Sequence, residues 1–421
     1  MAAVEVVSSE LVAPGEPTPR RALWLSNLDL AARNGYTPTV YFFRHPCDAD
    51  DGFFSADALR PALAAALVPF YPFAGRLAVG RDGRAEIDCN GEGALFVVAR
   101  SAAALDDFEG FAPSTAMRDM FVPPYETAGH GTPLLMLQVT FFRCGGVALG
   151  TAMHHFVIDG RSAFHFIRTW AGIARGVPGA AVAPSLDRTP LRARPVPAVL
   201  FDHTHEYGGL AGAAAARSPV VEKREYASAI LRVTGAARAS TFRALVGHVW
   251  RCACAARALA ADAESRVHTM VDMRGRLAPP LPEAYFGNAV VRTSASATVG
   301  DLLGGSLGFA ARRLRAATGH CDEYARSVVD HLEAAEMAAL PRGLRGTDLR
   351  VISWLGMPWY DADFGWGEPA ALAPALMYYA GLVYLLSCPG KGGDVAVAVA
   401  LEPERMPRFK NLFFQELAAL E

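Results

Sequence analysis

An α/β fold made of two mixed domains is the architecture this sequence predicts, and three observations carry it. The chain has 421 residues, 52% of them hydrophobic, which exceeds the roughly 250 to 300 residues at which a single core stops growing. Both halves alternate short β-rich runs with segments of helical period. Between them, residues 178–221 hold Pro184, Pro190, Pro195, Pro197 and Pro219, Gly208-Gly209 and the small-residue run Ala211 to Ala216. That composition resists regular structure. It predicts domains at 1–177 and 222–421, joined by a crossover loop at 178–221.

The elements follow in order. Thr39-Val40-Tyr41-Phe42-Phe43 and Leu95-Phe96-Val97-Val98 have strand composition, and Ala56 to Leu67 has helical period. Leu134 to Phe142 and Gly145 to Met153 predict a buried hairpin turning at Arg143 to Gly146, followed by a helix through Ser162 to Trp170. In the second half, helices are predicted at Thr241 to Leu259 and near Val299 to Gly319. Strands are predicted at Val267 to Asp272, Leu382 to Ser387 and Val395 to Leu401.

Charge and cysteines narrow the function classes. Forty basic and 42 acidic residues give a formal charge of −2, with no basic tract to bind nucleic acid or a membrane surface. The N-terminus carries Glu5 and no basic region followed by an apolar block, and no run of about 18 apolar residues occurs. A soluble cytoplasmic protein is expected. Seven scattered cysteines fit reduced thiols, and Cys252 and Cys254 are too close for a zinc knuckle, so no metal is expected.

Chemistry concentrates in His154-His155-Phe156-Val157-Ile158-Asp159-Gly160, between the predicted strand and helix. A neutral histidine can take a proton from an alcohol or amine as that group attacks a carbonyl, and His155 is the candidate base. Asp159 could fix the ring tautomer, or turn away and hold the loop by pairing with an arginine. A second segment, Tyr360-Asp361-Ala362-Asp363-Phe364-Gly365-Trp366-Gly367, predicts a tight turn with inward aromatic groups and a cationic partner for Asp363. Its Asp-Phe-Gly lacks the phosphate loop and lysine that a kinase requires.

HxxxDG in mid-chain and DFGWG about 200 residues later together resemble the plant BAHD acyl-CoA-dependent acyltransferases. The resemblance extends over most of the chain through Leu23-Trp24, Ser26-Asn27, Asp29-Leu30, Thr37-Pro38, Tyr71 to Leu77 and Tyr285-Phe286-Gly287-Asn288. These details look most like the hydroxycinnamoyltransferase branch. The resemblance implies two similar domains of the chloramphenicol acetyltransferase-like type, with a solvent channel between them. It implies acyl-CoA as co-substrate, a monomer, and His155 as the base in direct acyl transfer. Asp159 then steadies the loop, and Asp363 pairs with Arg274 outside the channel. Ser240 and Thr241 match positions near the coenzyme, although they also suit helix capping. Thr37, Pro38 and Tyr41 match the acyl pocket, although a buried strand uses such residues too.

The acceptor pocket is implied at Arg342, Ile352 and Trp354. Shikimate and quinate enzymes place a threonine two residues before the tryptophan and an arginine further upstream; here Ile352 replaces the threonine, and Arg342 lies in a shortened segment. Asp348 to Pro358 looks more like members that acylate amines. The expected reaction is hydroxycinnamoyl transfer to a polyamine such as spermidine or putrescine. An O-transferase for shikimate, quinate or glycerol, or an N-transferase for tyramine or tryptamine, is the alternative.

Overall fold

The computed structural model describes residues 4–45, 52–125, 131–180, 182–208, 226–233, 241–335, 344–388 and 393–418. The chain forms two compact units. One comprises Met1–Arg192, Leu281–Ala289 and Met357–Leu376; the other comprises Ala193–Pro280, Val290–Gly356 and Met377–Glu421.

The first unit is built on a six-stranded sheet in the order Val4–Val12, Ala94–Ser101, Leu135–Phe142, Val147–His154, Tyr36–Phe43 and Ala371–Pro374. Its centre is the hairpin expected from sequence, paired from Leu135↔Met153 to Phe141↔Val147. All eight residues of Val147–His154 are buried. Gly150 is required there, because a Cβ at that position would lie 1.6 Å from the Phe121 carbonyl oxygen. Helices Ala56–Ala66 and Gly160–Ala174 pack together in this unit, and Trp170 Nε1 donates to the Leu59 carbonyl at 3.1 Å.

The second unit has its own six-stranded sheet, ordered Val290–Thr298, Glu264–Asp272, Leu349–Ser353, Leu382–Ser387, Val395–Leu401 and Ala227–Val233. Helices Thr241–Arg257, Leu307–Thr318 and Met406–Ala418 supply the core that includes Trp250, Leu314, Phe409 and Phe413. The helix expected near Val299 to Gly319 is two helices, Val299–Gly304 and Leu307–Thr318. It breaks at Gly304-Gly305, where two adjacent glycines weaken helical propensity.

The units differ from the expected domains, since Leu281–Ala289 and Met357–Leu376, both within 222–421, belong to the first. The Asp363 segment belongs to the first unit, because Ala371–Pro374 pairs antiparallel with Thr39–Phe42 and extends that sheet. The crossover is clamped from both ends. Ser185 bridges to Tyr285 in the first unit. In the second, Arg194 is ion-paired with Asp330 and Glu323, and His203 lies 2.9 Å from Ser327 Oγ. Residues 181 and 209–221 of it lie outside the described residues.

Candidate active site

The HxxxDG segment connects the last strand of the hairpin to helix Gly160–Ala174. Asp159 caps that helix: its Oδ1 accepts from Ser162 N at 3.1 Å, and its Oδ2 accepts from Ala289 N at 3.0 Å. One carboxylate thus ties the helix start to a segment 130 residues away. Its charge still acts on His155 through space.

The strand ends at His154, and His155 is the first residue of the turn that follows. His154 pairs across the sheet with Tyr36 and lies edge-on to its ring at 5.2 Å. It is fully buried, and its Nδ1 accepts from Phe156 N at 3.3 Å. Burial, then His155 and Arg33, push its pKa down to about 3, so it is a neutral core residue. His155 is half-buried. Its Nδ1 is shut off from solvent without a well-formed hydrogen bond, which leaves Nε2 as the nitrogen a substrate can reach. Burial lowers the His155 pKa below the ordinary value; its own backbone and Asp159 oppose that shift, Arg33 adds to it, and Asn288 opposes it. The result is a neutral imidazole with an accessible lone pair, suited to proton abstraction.

The loop that carries His155 rests on a buried polar network. Asp29 is fully buried. Its Oδ1 accepts from Asn288 N at 2.8 Å and Asn288 Nδ2 at 2.9 Å; its Oδ2 accepts from Ser26 N and Oγ, both at 2.8 Å, and from Arg188 Nε at 3.0 Å. Two of these partners reach the loop directly. Asn288 Nδ2 donates to the His155 carbonyl at 2.8 Å, and Arg188 Nη2 donates to the Val157 carbonyl at 3.1 Å. Ser162 Oγ donates to the Gly287 carbonyl at 3.0 Å and accepts from Gly287 N at 3.1 Å. Asp29, Ser162, Arg188 and Asn288 were not singled out from sequence as site residues. The spacing Ser26-x-x-Asp29 is a capping-box signal, but no sequence pattern announces its long-range partners.

The second motif lies along the same helix. Asp363 Oδ1 accepts from Gly365 N at 2.8 Å and Gly367 N at 2.9 Å. Both glycines have positive φ, +107° and +101°, a conformation that other residues adopt at a cost. Phe364 is buried against Trp170, Phe54 and Phe43. Asp363 is ion-paired with Arg175 at 2.9 Å. Arg175 follows the helix end directly and so sits beside the turn; Arg274, the partner implied by the resemblance, belongs to the other unit, where Asp272 lies 3.2 Å from it. Arg168 reaches Asp361 at 3.7 Å in the same region.

The expected pocket residues fare unevenly. Thr37 and Tyr41 share one face of their strand, and the intervening Thr39 meets Thr151 at 2.6 Å. Pro38 points to the opposite face by alternation, so the three do not form one lining. In the second unit, Ile352 is half-buried opposite Tyr384, and Trp354 is buried against the Tyr384 ring at 5.0 Å. Arg350 shares the face of Ile352 and donates to the Tyr379 hydroxyl at 2.9 Å. Ser240 and Arg342 lie outside the described residues; Thr241 begins its helix, with its side chain undescribed. No group of three or more His, Cys, Asp or Glu side chains among the described residues is placed to hold a metal ion.

Similarity to known proteins places this geometry. The chain is 48% identical to putrescine hydroxycinnamoyltransferase 1 of Oryza sativa subsp. japonica over 99% of both chains. It is 41% identical to a hydroxycinnamoyl-CoA:5-hydroxyanthranilate N-hydroxycinnamoyltransferase of Avena sativa, covering 97% of this chain and 99% of that one. The fold matches the crystal structure of vinorine synthase with a TM-score of 0.74 at 22% identity, covering 96% of each chain. The Transferase family pattern matches residues 2–415. With its two sheet units and its HxxxDG and DFGWG segments in place, the chain belongs to the BAHD transferase family of acyl-CoA-dependent acyltransferases.

Proposed function

We propose that this enzyme moves a hydroxycinnamoyl group from its CoA thioester to an amine, with a polyamine such as putrescine or spermidine as acceptor. Hydroxycinnamoyl transfer is the activity named for both relatives above. The polyamine reading is carried by the 48% identity, end to end, with a putrescine enzyme. Ile352 supports it: an apolar residue beside Tyr384 and Trp354 offers no hydrogen bond to an acid or polyol and suits a methylene chain.

In this reading His155 Nε2 takes a proton from the attacking nitrogen as the N–C bond forms. The tetrahedral oxyanion then collapses, the C–S bond breaks, and the thiolate leaves with the proton that His155 returns. An amine with a pKa near ~10 arrives charged and first sheds a proton, which a low-dielectric site promotes. Aromatic faces suit its remote ammonium group.

One observation favours a second reading. Arg350 lies on the same strand face as Ile352, and a guanidinium there suits an aromatic amine that carries a carboxylate. A panel of p-coumaroyl-CoA with putrescine, spermidine, tyramine, tryptamine, 5-hydroxyanthranilate, shikimate and glycerol separates the readings. Highest kcat/KM with a polyamine supports the first, 5-hydroxyanthranilate the second, and shikimate or glycerol overturns both.

A further inference from the structure

The later part of the crossover closes on helix Asp322–Ala334 through one hydroxyl. Ser327 is fully buried on that helix. Its Oγ accepts from Leu200 N at 2.9 Å and from Phe201 N at 3.2 Å, and it stands 2.9 Å from His203 Nε2. A hydroxyl offers two lone pairs and one hydrogen. The two amides occupy the lone pairs, so the hydrogen is donated to His203, and Nε2 is the bare nitrogen of that ring. The ring proton is then on Nδ1, which is buried without an acceptor. This contact closes only over a neutral imidazole, since a proton on Nε2 would face an oxygen with no lone pair to offer.

The surroundings do little to hold a charge on that ring. His203 is 1% exposed. From the helix, His331 and Tyr324 face it with ring centres 5.4 Å and 5.0 Å away, while the Asp330 carboxylate is engaged by Arg194 and by the Ala198 amide. His320 stacks on Tyr324 at 3.6 Å, and the Tyr207 ring lies 6.3 Å from His203. Asp202 accepts from Thr204 N at 2.9 Å, and the Glu206 carboxylate accepts from Ser294 Oγ. The other two histidines keep their bonds when charged. His331 Nε2 donates to the Gly208 carbonyl at 3.0 Å, and His320 Nε2 donates to a Thr293 hydroxyl that itself donates to the Ala317 carbonyl. Of the three, only His203 accepts through the nitrogen that would gain the proton.

We infer that His203 is a proton-operated latch on the crossover: neutral, it accepts the Ser327 hydroxyl and closes residues 199–208 onto the helix; protonated, it releases them while residues 193–198 stay tied to Asp330. Burial, then His331, push the closed-state pKa of His203 down to about 4, with Asp202 opposing and His320 adding, against about 6.5 for a solvated ring. Latching is therefore complete above that solvated value and weakens as pH falls toward the closed-state one. Between pH 7 and pH 5 the open fraction rises about twentyfold. The inference is independent of the acceptor and of His155.

Hydrogen exchange of the full chain, read by mass spectrometry at pH 7 and pH 5 and corrected for intrinsic rates, tests the latch. Peptides covering 199–208 should lose protection by about tenfold or more on acidification, and those covering 193–198 should change by less than about twofold. In His203→Gln, whose amide oxygen accepts the hydroxyl without titrating, the response of 199–208 should fall below about twofold. Ser327→Ala should leave 199–208 unprotected at both pH values. A merely structural histidine would change protection equally at both. The wild-type measurement needs no variant: equal protection of 199–208 at pH 7 and pH 5 overturns the proposal. A response that persists in His203→Gln, or that extends equally to 193–198, also overturns it.

Discussion

Arg175 holds Asp363 across 2.9 Å at the end of the helix whose other end Asp159 caps. The two motifs, about 200 residues apart in the chain, are therefore attached to opposite ends of one 15-residue helix. Each carboxylate accepts from two backbone amides. Both fix the piece of backbone from which His155 is presented.

Replacing Asp363 should therefore cost stability before chemistry. Asp363→Ala removes one partly exposed ion pair, worth about 0–1 kcal/mol, and leaves the Gly365 and Gly367 amides without their acceptor, so a total of about 1–3 kcal/mol is expected. Thermal unfolding should show a Tm lowered by several degrees. At temperatures well below that Tm, kcat should stay within about threefold of wild type, and Arg175→Ala should show a smaller effect of the same kind.

Asp159 should behave differently, because its charge acts on the base as well as on the helix. Asp159→Asn keeps one acceptor oxygen and removes the charge that raises the His155 pKa. The acidic limb of kcat/KM should move to lower pH, and the Tm should fall by an amount typical of a lost cap, about 1 kcal/mol. A limb at the wild-type position would show that Asp159 exerts no field on the ring.

His155→Ala should abolish turnover with p-coumaroyl-CoA while leaving the Tm within a few degrees, since the Nδ1 of the ring makes no well-formed hydrogen bond. Retained activity at about a tenth of wild type or more would remove His155 from the chemistry.

Two other histidines should shape acid stability. Burial pushes His154 down to about 3 and His203 down to about 4. Each is neutral when folded and protonates near ~6.5 when unfolded, so their contribution is fully present above pH 6.5 and is lost as pH falls toward 4. Denaturation midpoints should decline over that interval, and His203→Gln should flatten the decline. A midpoint that is constant from pH 7 to 4.5 would contradict this.

Gly150→Ala should be among the most damaging small substitutions in the chain. The added Cβ would sit 1.6 Å from the Phe121 carbonyl oxygen, which requires the strand or the end of helix Thr115–Phe121 to shift, at about 1–3 kcal/mol or more. Loss of soluble expression, or a markedly lowered Tm, is the expected result.

Much of the fold is legible in the sequence because the signals are local. The hairpin through Leu135 and Met153 and the strands at Leu382–Ser387 and Val395–Leu401 follow from period, turn composition and spacing. What was not legible depends on partners distant in sequence. The pairing of Asp363 with Arg175 spans 188 residues, and the entry of Ala371–Pro374 into the first sheet is decided by which strand edge stands open. The contacts of Asp29 with Arg188 and Asn288 span 159 and 259 residues, beyond the reach of any periodic pattern. Strand alternation separates Pro38 from Thr37 and Tyr41.

The helix between the motifs also constrains how this chain can change over time. Substitutions along Gly160–Ala174 alter packing, but a one-residue insertion or deletion would swing Arg175 about 100° around the axis and about 1.5 Å along it relative to Asp159. That would part Asp363 from its guanidinium or tilt the loop that carries His155. The length of this helix is consequently fixed more tightly than its composition, and natural or engineered length variation should be confined to the loops on either side of the two motifs.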